Sequence, residues 1–81
     1  MPKATTKLSE GDLIRVVGND KSLEQVGLLV GSRVDKDIPF AGTQELQSML
    51  VTKKNLVNKT LGHLNLQGTF GCTVTRVRRS G

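Results

Sequence analysis

A small layered α/β domain, close to the α+β boundary, is the fold class that three features of this 81-residue chain predict. Residues 13–17 (LIRVV) and 72–79 (CTVTRVRR) are short runs rich in β-branched side chains, and Met49-Leu50-Val51-Thr52 has the length and composition of a buried strand. Leu23, Val26, Leu29 and Val30, and later Leu61 and Leu64, recur at helical spacing. The resulting order is strand, helix, connector, strand, short helix, strand. Helices set between strands favour a sheet with at least one parallel pairing.

Taken in order, residues 1–7 read as a disordered tail and residues 8–81 as one domain. The stretch Lys7-Leu8-Ser9-Glu10-Gly11-Asp12 reads as a turn that launches the first strand, with Gly11 free to adopt positive φ. Along that strand Ile14 and Val16 point to one face, and Leu13, Arg15 and Val17 to the other. One face is therefore wholly apolar, while the other carries a charge at its centre. That pattern fits a sheet covered by helices on one side and partly solvated, or engaged with a partner, on the other. Ser22-Leu23-Glu24-Gln25 has the form of a capping box, with Asp20 as a rival cap, and Gly31 stands where a glycine would stop the helix. Residues 32–43 mix charges with Pro39 and Gly42 and show no sustained period, so they read as a connector with a short extended piece at Arg33-Val34. Residues 44–52 return to the sheet. Gly68 and Gly71 punctuate the turn into the last strand.

Composition narrows the function. A chain this short buries only roughly 60% of its unfolded surface, so it gains from self-association. With two Phe, no Trp and no Tyr, the core is aliphatic. No apolar run approaches the roughly 18–20 residues of a membrane-spanning helix, and the opening MPKATTKLSEGD lacks the apolar middle of a signal peptide. One cysteine, Cys72, and one histidine, His63, leave no intrachain disulfide and no Cys/His metal site, and suit a reducing, cytosolic setting. Net charge is +5 and unevenly spread: residues 1–45 hold six basic and seven acidic side chains, residues 46–81 six basic and none acidic. Such asymmetry suits an anionic partner, whether nucleic acid, phosphorylated small molecule or membrane surface, and equally suits a solvated surface.

Candidate chemistry is sparse. There is no Gly-x-Gly-x-x-Gly and no Walker-type loop. A helix starting near Thr60, with Asn58 and Lys59 beside it, would offer free N–H groups and positive charge to an anion; an ordinary helix start explains the same residues. Alternation puts Arg76 and Arg78 on one face of the last strand, and Val77 and Arg79 on the other. The interleaved aromatics or recognition helix of a nucleic-acid binder are missing. Cys72 and His63 lie on different elements with no acid in residues 46–81 to orient them, so the chain reads as no enzyme and Cys72 as a packed apolar side chain. Asp35 and Asp37 read as solvated loop carboxylates.

Three stretches carry a resemblance: Val51-Thr52; Asn58-Lys59-Thr60-Leu61-Gly62-His63-Leu64-Asn65-Leu66; and the Gly71-led strand closing on Arg78-Arg79-Ser80-Gly81. Together they are similar to the first half of a TrkA-C domain, the C-terminal lobe of RCK-type regulators of potassium transport. The family pattern there is a short strand, Gly-Lys-x-Leu-x-Glu-Leu, then a Gly-led strand ending in Arg-Arg-x-Gly. Residues 8–18 followed by Leu23-Glu24-Gln25-Val26 resemble the second half: a Gly-Asp turn, a strand ending in Gly, and a closing helix. Second-half-like residues 8–34 thus precede first-half-like residues 46–81. The chain resembles a piece cut across two tandem copies, as found between the membrane halves of aspartate:alanine exchanger-like transporters. Asn58 stands where the family has Gly, which a left-handed Asn tolerates, and His63 replaces a common Glu.

The resemblance implies a non-catalytic regulatory or ligand-binding module at the cytoplasmic face of a cation, potassium or amino-acid transporter. The halves either close on each other as a permuted domain or swap between two chains. Its partners would be a second copy in a dimer, the parent's membrane segments and a small anionic ligand, with no cofactor indicated. Asn58, Lys59, Thr60, Arg76 and Arg78 are the candidate ligand residues. A small basic nucleic-acid-binding protein and a ligand-free assembly domain are the alternatives.

Overall fold

The computed structural model describes residues 2–34 and 38–79. Its elements are β1 (Leu13–Gly18), α1 (Asp20–Val30), β2 (Gly31–Arg33), β3 (Ile38–Ala41), β4 (Gln44–Val51), α2 (Leu61–Leu64), α3 (Leu66–Phe70) and β5 (Thr73–Arg78). Five strands form one sheet ordered β2-β4-β1-β5, with β3 also on β4. Each of these pairings is antiparallel, which corrects the expected parallel pair. The reason is that α1 carries the chain past β1 to the far side of β4. The neighbours of β1, β4 and β5, come instead from the second half of the chain, and both run against it.

Alternation along β1 sets the two faces. Ile14 lies opposite Met49 and Val77, and Val16 opposite Gln47 and Val74. Ile14, Val16, Met49 and Val51 join Leu23, Val26 and Val30 of α1, Leu66 of α3, and Leu8, Leu56 and Cys72 in one buried cluster, and the half-buried Val74 and Val77 pack against it. The aliphatic core follows from a chain with only two Phe.

Local chemistry ends each helix. Asn19, not Ser22 or Asp20, caps α1: its extended backbone (φ −78, ψ 163) leaves its side chain to accept from Ser22 N–H at 2.8 Å. Gly31 stops the helix at φ 153, with its N–H donated to Gly27 O. The expected single short helix is two, α2 and α3, broken at Asn65, whose left-handed backbone (φ 47, ψ 50) ends one and begins the next. Gly68 therefore lies inside α3, not in the turn; Gly71, at φ 69, makes the turn.

The connector is more ordered than its composition suggests. β2 pairs with the second half of β4, Gly31 opposite Val51, and β3 with the first half, Ile38 opposite Leu46. A two-residue loop, Gly42-Thr43, joins β3 to β4, with Gly42 at φ 59 and Pro39 on an edge strand, where its missing N–H is tolerated. Asp35 and Asp37 lie outside the described residues.

Gly18 ends β1 against the start of β5. A Cβ there would stand 2.6 Å from Cys72 Sγ and 3.5 Å from Cys72 Cβ. Gly18→Ala is expected to destabilise the domain by about 1–3 kcal/mol through overpacking. In a Cys72→Ala background the same change should cost less than half as much, measured by urea unfolding; equal costs in both backgrounds would refute the contact.

Candidate functional site

Asn58, Lys59 and Thr60 form the approach to α2. Asn58 holds a left-handed backbone, φ 68, a conformation that Asn adopts more readily than most residues. The N–H groups around this helix start are already engaged. Asn58 N–H donates to Leu8 O (2.8 Å), Lys59 N–H to Leu56 O (3.0 Å), Leu61 N–H to Thr6 O (3.0 Å) and Gly62 N–H to Ala4 O (2.9 Å). Thr60 Oγ1 accepts from His63 N–H at 3.0 Å. The acceptors Ala4, Thr6 and Leu8 belong to the opening segment, and Lys7 forms a β-bridge with Thr60. Residues 2–7, expected as a tail, therefore lie along α2 and use the donors that an anion would need. What remains at this end is the exposed charge of Lys59.

Arg76 and Arg78 sit elsewhere, on the sheet face that the helices leave open. Register places Arg76 directly opposite Arg15, and Arg78 opposite Leu13. All three arginines are exposed, and among the described residues none of these guanidiniums has a hydrogen-bond or ion-pair partner. The ladder slips by one residue at this point, between Arg15 and Val16, and Thr75 Oγ1 donates to Arg15 O at 3.4 Å across the bulge. Beside the arginines the open face is apolar: Leu13 faces Leu50, and Val17 faces Leu46. The structure thus separates the two groups of candidate residues and adds Arg15 to one of them.

Arg79 has a different task. It donates to Asp12 Oδ2 at 2.6 Å, and the same oxygen accepts Ser9 N–H at 2.8 Å. The Asp12 side chain is 1% exposed, so its charge needs both donors. Arg79 is 54% exposed, which makes the pair a partly screened latch between the turn before β1 and the end of β5. On the helix side, Arg33 Nε donates to Gln47 Oε1 at 3.1 Å and a guanidinium nitrogen lies 3.6 Å from Asp20, tying β2, β4 and the start of α1.

Cys72 is buried, and burial pushes its thiol pKa above the ordinary 9.0. Because folding raises that pKa, the stability linked to the neutral thiol is complete below about pH 9 and is lost as pH climbs through the higher native value. His63 is exposed on α2. Among the described residues no group of three His, Cys, Asp or Glu side chains gathers to hold a metal ion. A shallow depression of about 210 Å³ lies between the opening segment and α3, with Ala4, Leu61 and Gln67 on its walls, but none of the five candidate residues lines it.

Comparison with known proteins places this geometry in a larger context. No family model matches the chain. No solved structure matches it. The whole chain is 56% identical over 81 residues to a protein of Bacteroides thetaiotaomicron named as an uncharacterized transporter. It is 54% identical to one so named in Bacteroides fragilis. Over 82 residues it is 30% identical to a protein provisionally named as a transport protein in Edwardsiella ictaluri. The chain spans 15% of the length of each of these relatives. It is thus similar, end to end, to one segment of proteins named for transport. Among the described residues, no helix is long and apolar enough to cross a membrane.

Proposed function

We propose that this chain is a TrkA-C-like, non-enzymatic regulatory module at the cytoplasmic face of a membrane transporter of the cation, potassium or amino-acid exchanger type. One observation carries the reading: the entire chain matches one contiguous segment of proteins named as transporters, and that segment amounts to only 15% of their length. The remainder of such a protein would carry the membrane-crossing part. A small mixed domain with no membrane-crossing helix among its described residues suits a part that biases the transporter rather than conducts through it. Such a module acts only through a difference in affinity between two states of its parent.

The module associates with a second copy. Val34, Ile38 and Phe40 are exposed at 44%, 56% and 60% along the β2–β3 margin of the sheet, at the opposite end from the arginines of β5. Pairing through that margin buries apolar side chains and keeps the like charges of two copies apart. Sedimentation across a dilution series tests the reading against nucleic-acid binding. A dimer that persists on dilution and ignores random DNA is expected; a stable monomer that binds DNA and releases it steeply with salt would contradict it.

A further inference from the structure

We infer that Arg15, Arg76 and Arg78 form a binding site for a phosphate-class anion of at least two charges on the open face of the sheet. The inference goes beyond the transporter reading, because it stands on the geometry of β1 and β5 alone. Residues directly opposite on antiparallel strands have Cβ atoms roughly 4.5–5.5 Å apart, and diagonal neighbours lie roughly 7–8 Å apart. Arg15 and Arg76 are such an opposite pair, and Arg78 is diagonal to Arg15. Register therefore makes the three arginines neighbours on one face of the sheet.

Like charges directly opposite destabilise a strand pair, and a compensating acid is the usual remedy. None serves here. Asp12 is taken by Arg79 and Asp20 lies beside Arg33, while residues 46–81 contain no acid. The strands are nonetheless locked in this register, with Thr75 bonded to Arg15 O across a bulge placed at the arginines themselves. A bulge re-aims side chains, and bulges cluster at sites. Three guanidiniums bring more forked donors than one carboxylate has oxygens to accept, whereas a diphosphate offers enough acceptors for bidentate contacts. The half-buried Leu13 and Leu50 alongside give an apolar floor to whatever the phosphate is attached to. A free phosphorylated metabolite and a phosphomonoester lipid headgroup share this chemistry.

Thermal unfolding of the 81-residue chain in sodium pyrophosphate, against sodium chloride of equal ionic strength, tests the site. The expected result is a saturable rise in Tm of roughly 4–8 °C once the probe exceeds its dissociation constant about fivefold. Arg15→Gln and Arg76→Gln should each abolish that rise, and Lys59→Gln should retain it. Without anion, each arginine variant should melt roughly 1–4 °C higher than the parent chain, through relief of the like-charge pair. Flotation with phosphatidic acid vesicles, whose phosphomonoester can carry two charges, against phosphatidylcholine vesicles separates the sources. Capture on the anionic vesicles alone, lost in the same two variants, with no response to pyrophosphate, supports the site with a lipid headgroup as its ligand. A Tm rise that survives in both arginine variants, or no response to either probe, overturns the inference. So does tighter binding of random single-stranded DNA that Arg15→Gln leaves unchanged.

Discussion

Gly31→Ala should cost the domain about 3–5 kcal/mol, the largest loss expected from any single methyl group added to this chain. Gly31 joins α1 directly to β2 at φ 153 and ψ −98, a backbone region that side chains disfavour. Conformation is only part of the cost. An added Cβ would stand 2.5 Å from Leu50 O and 2.6 Å from Thr52 N, both backbone atoms of the β4 end that cannot rotate aside. Relief requires β2 to leave β4, with loss of the Thr52 N–H bond to Val30 O at 3.1 Å. Total stability for 81 residues is of the order of 4–12 kcal/mol, so the loss removes at least about a quarter of it and, at the lower end of that range, all of it. Gly42→Ala is the control: its φ is 59, but nothing lies within 4 Å of the new methyl, so a cost of only about 1–2 kcal/mol is expected. Urea unfolding of both variants checks the contrast, and similar losses in the two would show that the β4 backbone does not enclose Gly31.

Leu8→Ala ranks next, at about 3 kcal/mol with a range of 2–5. Leu8 is fully buried although it stands only eight residues into the chain. Its backbone is held at both ends, with Leu8 N–H donating to Lys59 O at 2.9 Å and Leu8 O accepting from Asn58 N–H at 2.8 Å. Truncating the side chain opens a cavity beneath the segment that covers α2. The amides of Leu61 and Gly62, which donate to Thr6 O and Ala4 O, should then exchange with solvent faster than the amides of β1, as hydrogen exchange would detect. Equal protection of the two regions in Leu8→Ala would contradict this coupling.

These two sites mark where the sequence was legible and where it was not. The faces of β1 could be read directly, because Ile14 and Val16 alternate with Leu13, Arg15 and Val17 over enough residues to establish a period of two. The stop at Gly31 was legible because an apolar helical stripe ends on a glycine. The crowding that makes Gly31 irreplaceable was not, since it depends on β4, twenty residues later. β2 and β3, at three and four residues, are too short for alternation to register, and their signal was the Gly42-Thr43 loop between Ala41 and Gln44. Asn19 was passed over as a cap because Ser22 completes a capping-box pattern three residues further on. Ala4 and Thr6 looked like tail because their contribution is through carbonyls, which no side-chain pattern announces. Arg15 was visible as a charge at the centre of a face, but only the pairing of β1 with β5 sets it against Arg76, across 61 positions. The expected helix start near Thr60 pointed to Asn58, Lys59 and Thr60, and local backbone bonding there leaves fewer free donors than a bare helix start would offer.

The most direct test of the regulatory reading is flux through the full-length parent protein reconstituted in liposomes. Uptake of labelled rubidium and of labelled aspartate would be compared between wild type and Gly31→Ala, at temperatures below and above the melting of the altered module. The account predicts that wild type carries one of these labels, and that melting the module changes the rate or saturation of that flux while the protein stays inserted in the bilayer. Identical flux from both proteins on either side of the transition would contradict a regulatory role for these 81 residues.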